Sequence, residues 1–104
     1  MDSKRWLIYF LGWAAALGVG GQSAAEITGL KATGHDSRVD LVWDMEEQAY
    51  GYNVYRWNNR SSGWLKLNSK LHKPAVYSDF LGKNDQWCRY KIKSVSADGS
   101  ESAA

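Results

Sequence analysis

Arg38-Val39-Asp40-Leu41-Val42-Trp43 and, after a short acidic connection, Gly51-Tyr52-Asn53-Val54-Tyr55-Arg56-Trp57 are the two stretches that decide the fold. In each, side-chain character alternates with a period of two, which in an extended chain sends successive residues to opposite faces. Val39, Leu41 and Trp43 share one face and Arg38, Asp40 and Val42 the other, so the first set is expected in a core centred on Trp43. In the second run Tyr52 and Val54 share a face, while Asn53, Tyr55 and Trp57 share its opposite, so this strand carries aromatic rings on both sides.

Further short runs lie on either side, separated by Gly, Asn, Asp and Ser clusters in the manner of an all-β chain. Residues 27–33 predict a weak first strand, ended by a turn at Gly34-His35-Asp36-Ser37. The polar segment 58–63 predicts a hairpin loop that sets Trp57 opposite Trp64, with a short strand at 64–67 beyond it. A short strand at 76–78 precedes Asp79-Phe80-Leu81-Gly82. The last and longest strand is placed at 87–95, with Cys88, Tyr90, Ile92 and Ser94 on one face and Trp87, Arg89, Lys91 and Lys93 on the other. Asp98-Gly99 turns the chain, and the five residues after it are too few for another full strand.

The N-terminus reads differently. Lys4 and Arg5 precede an uncharged apolar run at 6–19, too short to span a bilayer comfortably, and small residues follow at Ser23-Ala24-Ala25. This pattern predicts a signal peptide over residues 1–25, cleavage after Ala25, and one small domain over 26–104. The membrane would then be met only through the signal segment before cleavage, and the destination is periplasmic or extracellular.

Within 26–104, eleven Lys and Arg stand against ten Asp and Glu, and no basic stripe runs along a predicted face, so nucleic acid is not expected as a partner. The single cysteine, Cys88, has no internal disulfide partner and reads as a small buried apolar residue. The two histidines, His35 and His72, are far apart in sequence, so no metal and no cofactor are assigned.

Four motifs occur in order: Val39-Asp-Leu-Val-Trp43-Asp, Gly51-Tyr-Asn-Val-Tyr-Arg56, Tyr77-Ser-Asp79 with Gly82, and Tyr90-Lys-Ile-Lys-Ser-Val95 with Asp98-Gly-Ser-Glu-Ser102. In order and spacing they resemble a fibronectin type III domain. That resemblance implies an immunoglobulin-like Greek-key β-sandwich, with strands A, B and E packed against C', C, F and G. The flavour is similar to the bacterial copies found beside catalytic domains in secreted polysaccharide-degrading enzymes. Two departures stand out. Cys88 sits where the bacterial pattern places an aromatic at the start of strand F, so a tyrosine corner is absent or moved, and strand G is missing or truncated.

An enzyme site needs a nucleophile or an acid-base group oriented by a neighbour inside a pocket. His35-Asp36-Ser37 holds the letters of a hydrolytic triad, but adjacent residues cannot form its relay. Glu46-Glu47 lack a facing wall for glycoside cleavage and read as a solvated loop. The chain is therefore expected to be non-catalytic. Tyr55, Trp57, Trp64 and Trp87 are the candidate contact residues, because exposed rings suit either the C–H faces of sugars or burial by a neighbouring domain. The resulting expectation is an accessory spacer or packing module of an exported protein, N-terminal to a glycoside-hydrolase-type domain, with an adjacent domain of the same polypeptide as partner. The alternatives are a carbohydrate-binding module, with polysaccharide as partner, and a protein-binding or adhesion module.

Overall fold

The computed structural model of the chain describes residues 24–82 and 87–103. The predicted signal segment therefore lies, up to residue 23, outside the described residues. Six strands form two antiparallel sheets: β1 (Lys31–His35), β2 (Arg38–Val42), β3 (Gly51–Asn58), β4 (Gly63–Lys66), β5 (Val76–Phe80) and β6 (Tyr90–Val95). One sheet has the order β1-β2-β5 and the other β4-β3-β6. This is the A-B-E against C'-C-F arrangement that the motif order implied.

Packing follows the alternation. Val39 and Leu41 of β2, with Trp43 just beyond it, meet Tyr52 and Val54 of β3 and Tyr90 and Ile92 of β6 in one core, where Cys88 is also buried. Trp43 is 5% exposed and sets its ring edge-to-face against Tyr52, centroids 5.3 Å apart. Its backbone N–H donates to the Ala75 carbonyl at 3.1 Å, which ties the end of β2 to the approach to β5.

Four boundaries differ from the sequence reading. The first strand begins at Lys31 rather than residue 27, because Gly29 takes a φ of 74° that no strand can continue. The strand then runs through Gly34 and His35, and the turn into β2 is only two residues, with Ser37 at a φ of 57°. β5 continues past Ser78 to Phe80, with Asp79 and Phe80 paired to Val39 and Arg38. β6 starts at Tyr90 instead of Trp87, although the Trp57 N–H still donates to the Arg89 carbonyl at 3.0 Å.

Two edges are closed by devices other than strands. Asn68, buried, accepts the Val54 N–H with its side-chain oxygen at 2.8 Å and donates from its amide to the Tyr52 and Lys70 carbonyls and to Asn53 Oδ1. It stands in for a backbone partner between β4 and the single bridge that joins Tyr52 to His72. On β6, Glu101 bridges Val95 after the Asp98-Gly99 turn, and the Ser102 N–H donates to the Ser94 carbonyl at 2.9 Å. The beginning of strand G is thus laid against F at residues 100–102.

Candidate functional site

Because β3 is flanked by β4 and β6, its outward residues sit in the middle of a three-strand surface, and the register fixes their neighbours. Trp57 lies opposite Trp64 on one side and beside Arg89 on the other; Tyr55 lies between Lys66 and Lys91; Asn53 lies opposite Lys93. Three of the four candidate residues, Tyr55, Trp57 and Trp64, are thereby brought onto one face. The Trp57 and Trp64 rings meet edge-to-face with centroids 5.4 Å apart and an interplanar angle of 76°. Trp87, three residues ahead of β6, is 53% exposed.

Cations cover these rings, a feature the alternation alone did not reveal. The Arg89 guanidinium lies 4.5 Å from the Trp57 centroid and the Lys91 ammonium 4.5 Å from that of Trp64. Lys91 and Lys93 are 5.4 and 5.8 Å from the Tyr55 centroid. Each contact draws on the negative π face of the ring. Glu101 anchors the far end of the face: it accepts hydrogen bonds from Asn53 Nδ2 at 2.7 Å and from the Tyr55 hydroxyl, and lies 3.7 Å from the Lys93 ammonium. Burial, reinforced by the Glu101 carboxylate, pushes the Tyr55 phenol up to about 12.

A second constellation escaped the sequence reading. Asp79, inward on β5 and 5% exposed, accepts from Arg56 Nη1 with both carboxylate oxygens at 2.7 Å and from the Tyr90 hydroxyl at 2.7 Å. This clasp joins the two sheets. Burial pulls the Arg56 pKa down, but its hydrogen bond to Asp79 and that carboxylate's charge outweigh it, leaving a net rise. Burial foremost, then Asp79, raises the Tyr90 phenol, and burial raises the neighbouring Cys88 thiol. A thiol held protonated in this way is a poor nucleophile. The signal that could have found the clasp is the phase of β3, which puts Arg56 on the same inward face as Tyr52 and Val54 and so demands a buried anion.

The residues weighed for catalysis are dispersed. His35 Nε2 lies 3.1 Å from Asp40 Oδ2, within the outward ion pairing of the β1-β2-β5 sheet, and Asp36 and Ser37 form the turn beside it. Glu46 lies in the loop after β2, where its backbone N–H donates to the Tyr52 hydroxyl at 2.9 Å. Among the described residues no three His, Cys, Asp or Glu side chains gather as a metal site.

No protein-family model matches the chain. Over 77 residues it is 34% identical to a segment of an amylopullulanase of Thermoanaerobacter thermohydrosulfuricus; the match takes in 74% of this chain and 5% of that enzyme. It superposes on an Fn3-like protein from Clostridium thermocellum with a TM-score of 0.65 at 25% identity, over 79% of this chain and 85% of that one. A β-1,2-glucanase from Parabacteroides distasonis contains a similar fold, TM-score 0.59 at 24% identity, over 86% of this chain and 12% of the enzyme. The chain has the fibronectin type III-like β-sandwich fold, and it is similar to a small part of a polysaccharide-degrading enzyme.

Proposed function

We propose that this sandwich is a non-catalytic accessory module of an exported polysaccharide-degrading enzyme, where it spaces or braces a catalytic domain. The observation that carries the reading is the 34% identity to a stretch amounting to 5% of an amylopullulanase, which is the scale of one module within a long multidomain chain. Export is supported by Lys4 and Arg5 ahead of the apolar run and by the small residues Ser23-Ala24-Ala25. Bracing is supported by the outer β4-β3-β6 face, where Trp, Tyr and Arg, the residues enriched in protein interfaces, are contiguous.

Binding of neutral sugars by the same rings is the second reading, favoured by the exposure of Trp87. It ranks lower because Arg89 and Lys91 already lie over the Trp57 and Trp64 rings. The test is to incubate the full chain with pullulan and amylopectin, following reducing ends and tryptophan fluorescence. An accessory spacer releases no reducing ends and gives no saturable fluorescence change. Turnover would overturn the non-catalytic assignment, and saturable quenching would replace spacing with neutral-glycan binding.

A further inference from the structure

The outer face of the β4-β3-β6 sheet gathers positive charge in a chain whose formal net charge is only +2. Lys66, Arg89, Lys91 and Lys93 lie on it, against the one carboxylate of Glu101. Asp36, Asp40, Asp44, Glu46 and Glu47 belong instead to the β1-β2 hairpin and the loop that follows it. Lys91 and Lys93 alternate along β6, with stems about 7 Å apart, two residues of extended strand, and Arg89 lies just ahead of the strand, its carbonyl bonded to the Trp57 N–H. The charges crowd one another: burial first, and then Lys93, hold the Lys91 ammonium below its ordinary pKa. A bound anion would relieve that crowding.

The rings of the same face narrow the chemistry of the anion. A neutral sugar seeking the covered sides of Trp57 and Trp64 would have to displace a cation already stacked there, whereas a sugar bearing a carboxylate meets the same cation as its ion-pair partner. An acidic peptide finds less to hold here. The backbone of β3 is paired on both sides, and peptides that join sheets do so at a free edge.

We propose that this face binds a uronate-containing polysaccharide, whose carboxylates draw Lys91 and Lys93 off the Trp64 and Tyr55 rings into ion pairs, with Lys66 and Arg89 beside them, so that sugar C–H faces can meet those rings and the nearby exposed Trp87. The module would then tether its parent protein to an anionic glycan. This goes beyond the accessory assignment, which the neutral glucans above test separately.

The experiment is affinity electrophoresis and tryptophan fluorescence of the full chain with polygalacturonate, compared with pullulan and with poly-L-glutamate at matched carboxylate concentration. Polygalacturonate should retard the protein and quench it saturably, and added salt should weaken the binding. Lys91→Gln with Lys93→Gln should lower affinity at least about tenfold, one charge-assisted contact being worth about that factor. Trp87→Ala should weaken binding of polygalacturonate but not of polyglutamate. Both variants change outward side chains, and unchanged circular dichroism verifies their fold. The proposal fails if polygalacturonate does not bind, if pullulan binds as tightly, or if polyglutamate binds equally and Trp87→Ala leaves polygalacturonate unaffected.

Discussion

Replacing Asp79 by alanine tests the inter-sheet clasp. The carboxylate accepts three hydrogen bonds of 2.7 Å, two from Arg56 and one from Tyr90, and is nearly sealed from water. Its removal leaves a guanidinium whose side chain is 26% exposed and a phenol with no exposure. Breaking a buried pair costs about 3–5 kcal/mol, and because Arg56 keeps some access to water the lower end, about 3 kcal/mol, is expected. At 0.05–0.15 kcal/mol per residue a module of about 80 residues has roughly 4–12 kcal/mol in all, so the variant should be severely destabilised. The matched control is Arg56→Met with Asp79→Leu and Tyr90→Phe, which removes every polar member together and should recover most of the loss. Urea unfolding followed by tryptophan fluorescence measures both. A loss under about 1 kcal/mol for Asp79→Ala, or a triple variant weaker than the single one, would refute the reasoning.

Other outcomes follow from the same packing. Trp43→Ala should cost about 3–5 kcal/mol in urea unfolding, while Trp43→Phe should cost less because it also removes a buried indole N–H that has no acceptor among the described residues. A double-mutant cycle on Trp57 and Trp64 should return a coupling of about 0.5–1 kcal/mol, and zero coupling would deny the ring contact. In alkaline titration at the phenolate absorbance, the Tyr55 step should come near 12 and vanish in Tyr55→Phe. The raised folded value means that this tyrosine's contribution to stability is complete below pH 10 and is lost as pH rises from 10 through about 12.

How far the fold could be read depended on whether a residue's environment was local. Val39, Leu41 and Trp43 declare their face by alternation alone, and Trp57 and Trp64 declare their pairing because they bracket a polar loop of fixed length. Asp79 does not. Beside Phe80-Leu81-Gly82 it has the composition of a turn, and what makes it a strand residue is Arg56, 23 positions earlier on the other sheet. The strand at 27–30 fails for a backbone reason, the positive φ of Gly29, which a sequence does not display. The candidate rings were legible as an outward set, but the cations over them required the register between β3 and β6. Alternating Lys and Arg on a last strand otherwise looks like an ordinary solvated face.

Asn68 bears on a different hazard, polymerisation. Sheets grow by adding strands to bare edges, and proteins usually prevent this with a covering loop, a charge or a bulge. Between the His72 bridge at Tyr52 and the Leu67 N–H on the Val54 carbonyl, the Val54 N–H is covered by one carboxamide, which also donates to the Tyr52 carbonyl and so leaves an incoming strand little to bond. The β3 edge is closed in three pieces, by β4, by this amide and by the His72 bridge, without a continuous neighbouring strand. The loop between β4 and β5 is therefore a guard on this flank of the sandwich, and losing the amide would leave the Val54 N–H open to the carbonyl of another chain.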